Sequence, residues 1–90
     1  MFRHTFTALI EDSLEALVKV FLTARQAQAK LISAEVSESS MENVKLLTMT
    51  LSLKPEKAEW LKRKLFNLPV VLEVNCTTLD ATLSKNACGR

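Results

Sequence analysis

Hydrophobic and polar positions alternate almost from the first residue: Phe2, His4, Phe6, Ala8 and Ile10 interleave with Arg3, Thr5, Thr7 and Leu9. A period of two with β-branched and aromatic content predicts a strand. Glu11-Asp12-Ser13 ends it, and Asp12 or Ser13 is placed to cap a helix. From Ser13 to about Gln28 the period lengthens, with Leu14, Leu17, Val18 and Phe21 at the i, i+3, i+4, i+7 spacing of one helix face. Val20, Leu22 and Ala24 widen this stripe beyond the ~100° of an ordinary surface helix. Glu15 lies in the first turn, four residues before a pairing partner, Lys19. Two arrangements fit so wide a stripe. The helix covers a sheet and also touches something at its flank, or its extra apolar residues stay half-exposed.

Alternation returns at Lys30–Ser37, where Leu31, Ser33, Glu35 and Ser37 oppose Ile32, Ala34 and Val36. A polar stretch from Glu38 to Asn43 predicts a loop, and Val44–Leu53 a long strand. In that strand Leu47, Met49, Leu51 and Leu53 face one way and Thr48, Thr50 and Ser52 the other. The pair reads as a hairpin with its apolar side toward helices and its Thr/Ser side toward water. Lys54-Pro55-Glu56 opens a second helix, with proline in the first turn, where its missing N–H costs nothing. Ala58, Leu61, Leu65 and Leu68 mark its buried face and Pro69 stops it. Val70–Thr77 is the last strand, with Leu72, Val74 and Cys76 alternating against Val71, Glu73 and Asn75. From Thr78 the pattern weakens, and the tail is expected to fray. Strand–helix–strand–strand–helix–strand with right-handed crossovers predicts an α+β fold of ferredoxin-like βαββαβ topology. Such a fold is a four-stranded antiparallel sheet with two helices on one face.

Composition narrows the possible functions. Ninety residues suit one domain, able to bury about 60–65% of the unfolded chain's surface. Twelve basic against ten acidic residues leave a net charge of +2, which makes no case for nucleic acid or an acidic membrane as partner. The run Lys62-Arg63-Lys64 reads as a solvated helix face. No apolar stretch approaches the ~18 residues of a membrane span, and the alternating N-terminus lacks a signal peptide's apolar core. The two cysteines, Cys76 and Cys88, form no CxxC and are too few for a disulfide scaffold, so a cytoplasmic location is expected. The single glycine, Gly89, rules out phosphate-cradling loops in the folded part.

Candidate chemistry is sparse. His4 is the only histidine, and no His/Cys/Asp/Glu cluster supplies it with partners, so a structural or surface role is expected. Cys76 reads as a small core hydrophobe, while Cys88 lacks an activating base. Trp60 flanks the Leu61 face as a partial cover of the core. No tyrosine and no paired strand aromatics offer a base-stacking platform. Glu11 and Asp12 read as turn and cap residues, in the loop where free N–H groups of a helix start can meet a small ligand. No catalytic residue, metal site or cofactor site is expected in this chain.

The stretches "LEALVKVFLTARQAQAKLISAEV", "ENVKLLTMTLSL" and "KLFNLPVVLEVNCTT", in this order and spacing, resemble ACT domains. In particular they resemble the short, single-ACT small regulatory subunits of acetolactate synthase, isozyme II type. The resemblance covers residues 4 to about 78 and implies an ACT domain over residues 1–78 with a flexible tail over 79–90. It implies a non-catalytic subunit of branched-chain amino-acid biosynthesis that binds, as a homodimer, the catalytic subunit of acetolactate synthase. Thiamine diphosphate, Mg and FAD would belong to that catalytic partner and not to this chain. In valine-sensitive relatives an Asn and a Gly of the first loop let backbone amides reach the effector's carboxylate. The corresponding residues here, Glu11, Asp12, Ser13 and Leu14, include no glycine and carry added negative charge, so weak or no valine binding is expected.

The implied dimer joins two sheets through the second strand. That strand is an edge in this topology, short of charge and without proline, and such edges need covering. The candidate interface residues are Leu31, Ile32, Ser33, Ala34, Glu35 and Val36, with Val20 and Ala24 on the neighbouring helix. Two other readings stay open: a stand-alone ACT-like amino-acid sensor, and a ferredoxin-like adaptor or chaperone that binds a peptide at its sheet edge.

Overall fold

The computed structural model describes residues 2–79. The element order is β1 (Phe2–Glu11), α1 (Leu14–Gln26), β2 (Lys30–Glu38), β3 (Val44–Leu53), α2 (Pro55–Phe66) and β4 (Val71–Leu79). The four strands form one sheet in the order β2-β3-β1-β4, with every neighbouring pair antiparallel. This is the ferredoxin-like βαββαβ arrangement expected from the periodicity. Its two edges are β2 and β4. The tail expected over 79–90 lies, apart from Leu79, outside the described residues, as does Cys88.

Alternation in β1 and β3 places the core. Phe6, Ala8 and Ile10 of β1 and Leu47, Met49, Leu51 and Leu53 of β3 all face the helices and are buried. His4 shares their face. The opposite face carries a Thr-rich array in which the Thr5 and Thr50 hydroxyls hydrogen-bond at 3.2 Å. Leu61 and Leu65 of α2 and Val20 of α1 close the core from above. Removing one such large side chain, as in Leu61→Ala, costs about 2–5 kcal/mol in transfer and cavity energy.

The faces of the elements differ from the periodicity reading in four places, each for a local reason. First, the buried face of α1 is Ala16, Val20, Thr23 and Ala24, while Leu14, Val18 and Leu22 are exposed. Small side chains let the helix sit close on the sheet, and Thr23 satisfies its hydroxyl by donating to the Lys19 carbonyl at 2.8 Å. Second, α2 ends at Phe66, not at Pro69. A residue preceding proline avoids helical backbone. Leu68 instead starts a turn with Pro69 at its second position, its carbonyl accepting from the Val71 N–H at 3.0 Å.

Third, the β1–β4 register shifts so that Leu9 pairs with Glu73 and Ile10 with Val71. Leu72 is the extra residue of this bulge. Val71 therefore turns inward and Leu72 outward, the reverse of strict alternation. Fourth, a bulge at Ile32 puts Leu31 opposite Leu51 while Ala34 and Val36 oppose Met49 and Leu47. Cross-strand partners share a face, so Leu31, Ala34 and Val36 form one row on the helix side of the sheet.

With hardly any glycine available, two left-handed turns fall to other residues: Gln28 (φ 60°) and Asn43 (φ 62°). Gln28 closes α1 in a Schellman motif, its N–H donating to Arg25 at 2.9 Å and that of Ala29 to Ala24 at 3.4 Å.

Candidate functional site

Two features of the fold meet at one end of the sheet: the loop between β1 and α1, and the outer edge strand β2. The loop is held by its own backbone. Glu11 N–H donates to the Val70 carbonyl at 3.0 Å, Asp12 N–H to Asn43 at 3.0 Å and Ser13 N–H to Glu11 at 2.8 Å. Ser13 is the N-cap of α1, its hydroxyl accepting from Ala16 N–H at 3.1 Å. The amides of Glu11, Asp12, Ser13 and Ala16 are thus engaged within the fold.

Beside this loop lies a cleft of about 360 Å³, with Ile10, Leu17 and Val36 among its apolar walls and Glu11, Asp12 and Lys45 on its rim. Lys45 projects from β3 between two carboxylates, 2.9 Å from Glu38 and 3.9 Å from Asp12. The Lys45 hydrogen bond and charge hold the Glu38 carboxyl below the ordinary carboxylate range, and Glu38 in turn raises the Lys45 ammonium. Three carboxylates (Glu11, Asp12, Glu38) against one ammonium leave this end of the cleft net negative. An incoming carboxylate meets repulsion there and finds the Glu11, Asp12 and Ser13 amides occupied. The Glu38–Lys45 pair was not singled out from the sequence. The signal for it lay in the hairpin, because these residues face each other across its loop.

The four loop candidates Glu11, Asp12, Ser13 and Leu14 do come together at the cleft. Leu14 is 78% exposed and lies on the flank of α1. Because Leu14, Leu17 and Val36 line the same cleft, this flank adjoins the helix-side row of β2. All nine residues of β2 are exposed, including the candidates Leu31, Ile32, Ser33, Ala34, Glu35 and Val36, with Leu31 at 58%. Val20 and Ala24 are not part of this surface. They are 0% and 6% exposed, packed under α1 in the chain's own core, because the helix rests on its small residues. The apolar flank is instead formed by Leu14, Leu17 and Val18, with Leu17 partly buried against the core.

Nothing in the described residues assembles reactive groups. No three His, Cys, Asp or Glu side chains lie close enough to share a metal ion among the described residues. His4 is seven residues from Glu11 along a strand, about 23 Å away at the extended rise. Burial lowers its pKa, an effect only partly offset by a hydrogen bond to the Leu53 backbone. Burial likewise pushes the Cys76 thiol up to about 11, leaving a negligible thiolate fraction at neutral pH. Trp60 is half-buried against the core, with the Lys57 and Lys64 ammonium groups 5.2 and 5.5 Å from its ring centre. No helix of the described residues is long and apolar enough to cross a membrane.

No protein-family model matches the chain, and no curated protein matches it in sequence. Solved structures do. The acetolactate synthase small subunit from Thermotoga maritima superposes with a TM-score of 0.75 at 17% identity, over 92% of this chain and 50% of that one. The chain thus spans half the length of that subunit. The ACT domain from the GTP pyrophosphokinase of Chlorobium tepidum matches with a TM-score of 0.69 at 13% identity, over 83% of this chain and 96% of that domain. The C-terminal domain of the MgtC protein from Mycobacterium tuberculosis gives 0.66 at 18% identity, over 87% of both chains. These likenesses, together with the strand order, establish a ferredoxin-like fold of the ACT type.

Proposed function

We propose that this chain is a non-catalytic regulatory module that works as a homodimer on a larger enzyme, and specifically as a small subunit of acetolactate synthase. One observation carries the reading: an edge strand exposed along its full length, with an apolar row beside an apolar helix flank. A second copy placed edge to edge would continue the hydrogen-bond ladder through β2 and cover Leu31, Ala34 and Val36 together with Leu14 and Val18. The structural likeness to an acetolactate synthase small subunit supports the choice of enzyme, as do the sequence stretches that resemble that family. On this reading thiamine diphosphate, Mg and FAD reside in the catalytic partner. This chain acts by stabilising that partner and raising its turnover. The loop cleft takes valine weakly or not at all, for the electrostatic reason given above.

The test mixes the purified chain with an acetolactate synthase catalytic subunit at saturating ratios and measures acetolactate formation and thermal stability. Raised activity or stability is expected. Equal turnover with and without the chain would refute the enzyme assignment. A monomer in sedimentation at tens of micromolar, a range where many weak homodimers form, would refute the dimer.

A further inference from the structure

Among the described residues the edge opposite β2 carries a second uncovered surface. α2 and β4 enclose a groove of about 420 Å³ lined by Glu59, Lys62, Arg63, Phe66, Asn67 and Val74. Phe66, at the end of α2, is 58% exposed, and Leu72, turned out by the β4 bulge, is exposed too. Among the described residues β4 is hydrogen-bonded on one side only, to β1, so its outer edge presents backbone N–H and C=O groups. Charge marks this edge. Five of the twelve basic residues (Lys54, Lys57, Lys62, Arg63 and Lys64) cap or lie on α2, against Glu56 and Glu59. The first half of the chain is nearly balanced, with six acidic residues (Glu11, Asp12, Glu15, Glu35, Glu38 and Glu42) against five basic ones (Arg3, Lys19, Arg25, Lys30 and Lys45).

We propose that the α2–β4 groove docks an extended, acidic segment of the partner protein, with one apolar side chain seated between Phe66 and Val74. The segment adds its backbone to the β4 edge, and its carboxylates meet Lys62 and Arg63. The proposal rests on the reading of the chain as a module serving a larger protein. It goes beyond that reading in naming the surface and the chemistry. Pairing two copies through β2 leaves both β4 edges at the outer ends of the joined sheet, one for each partner chain. A second copy is the poorer occupant. Joining the β4 edge of one copy to the β2 edge of the next is a head-to-tail contact that does not close and would propagate into chains.

The test uses the full ninety-residue chain, isotope-labelled for amide NMR, and two synthetic hexapeptides, acetyl-DVDLDV-amide and acetyl-KVKLKV-amide. The acidic peptide is expected to shift the amide signals of residues 62–67 and 72–76, with binding that weakens as salt rises. The double variant Lys62→Glu, Arg63→Glu and, separately, Phe66→Ser are expected to weaken it by about tenfold or more while keeping a dispersed spectrum. All three substituted positions are at least partly exposed, so the fold should persist. Equal binding of the two peptides would overturn the proposal, as would shifts centred on residues 31–36. A gain of about tenfold in affinity on deleting residues 80–90 would make the chain's own terminus the occupant. Concentration-dependent association abolished by the charge-reversal pair would make it a second copy. Titration with the acetolactate synthase catalytic subunit separates the two proposals. If that subunit fails to bind while the acidic peptide maps to the groove, the enzyme assignment falls and the groove stands. If it binds wild type and both variants alike, the groove is not its docking site and the proposal falls.

Discussion

Lowering the pH from about 7.5 to about 5 should destabilise the folded chain through one residue, His4. Its ring is 2% exposed, on the helix side of β1. It faces Leu51 across the ladder and has the Phe6 ring 6.5 Å away. Burial lowers its pKa from 6.5, and the Leu53 backbone hydrogen bond offsets this only in part. Because the folded pKa lies below the unfolded one, the unfolded chain binds more protons between the two values. Stability is therefore complete above 6.5 and is lost as the pH falls toward the folded pKa. Each unit between the two values contributes about 1.4 kcal/mol, so at about pH 5, some 1.5 units below 6.5, the loss is at most about 2 kcal/mol. For a domain of this size that is about 4–8 °C of melting temperature per kcal/mol. Thermal unfolding followed by circular dichroism, at constant ionic strength across this range, measures it. The wild-type midpoint should fall with acidification. His4→Leu, an apolar replacement in an apolar place, should be nearly flat over the same window whatever its absolute stability. Carboxylate effects such as that of Glu38, whose pKa is lowered from 4.5, belong to more acidic solutions. A wild-type midpoint independent of pH above about 5, or an equal slope in His4→Leu, would show that burial of this ring is not what governs its titration.

Ala34→Pro should remove a donor from β2 and break the edge pairing. Sedimentation should then give a monomer or an aggregate in place of the wild-type dimer, and an unchanged dimer would place the interface elsewhere. Calorimetry with valine should return no binding in the micromolar range, because the Glu11, Asp12 and Ser13 amides are engaged and the cleft rim is acidic. Micromolar affinity would falsify this account of the loop. Gln28→Gly should stabilise the chain by about 0.5–1 kcal/mol, since glycine meets no Cβ penalty at the left-handed closing position of α1. Urea unfolding reads this as a higher midpoint at unchanged slope.

Much of this architecture is written in periodicity. The alternation Phe6-Ala8-Ile10 and Leu47-Met49-Leu51-Leu53 is local information, and it specifies two central strands and their inward faces without reference to anything else. Pro55 and Ser13 mark helix starts through their own backbone and hydroxyl chemistry, and the structure uses both as expected. The order of elements then leaves few topologies, which is why the ferredoxin-like arrangement and the edge position of β2 were legible. What lay beyond local pattern depended on distant partners. Periodicity alone leaves Val20 and Ala24 on the flank, because a helical wheel does not say which side of a wide stripe a sheet will choose. The sheet took the side with small residues, where the helix comes closest. The bulges at Ile32 and Leu72 reverse the facing of their neighbours, because pairing with β3 and β1 requires a register that the strand's own alternation does not contain. The Glu11 and Asp12 amides are engaged only because the fold brings the carbonyls of Val70 and Asn43, far away in the chain, to 3.0 Å from them. Periodicity sets which residues avoid water, but only the closed structure decides which backbone groups and which apolar faces find each other, because those contacts join residues that the chain keeps apart.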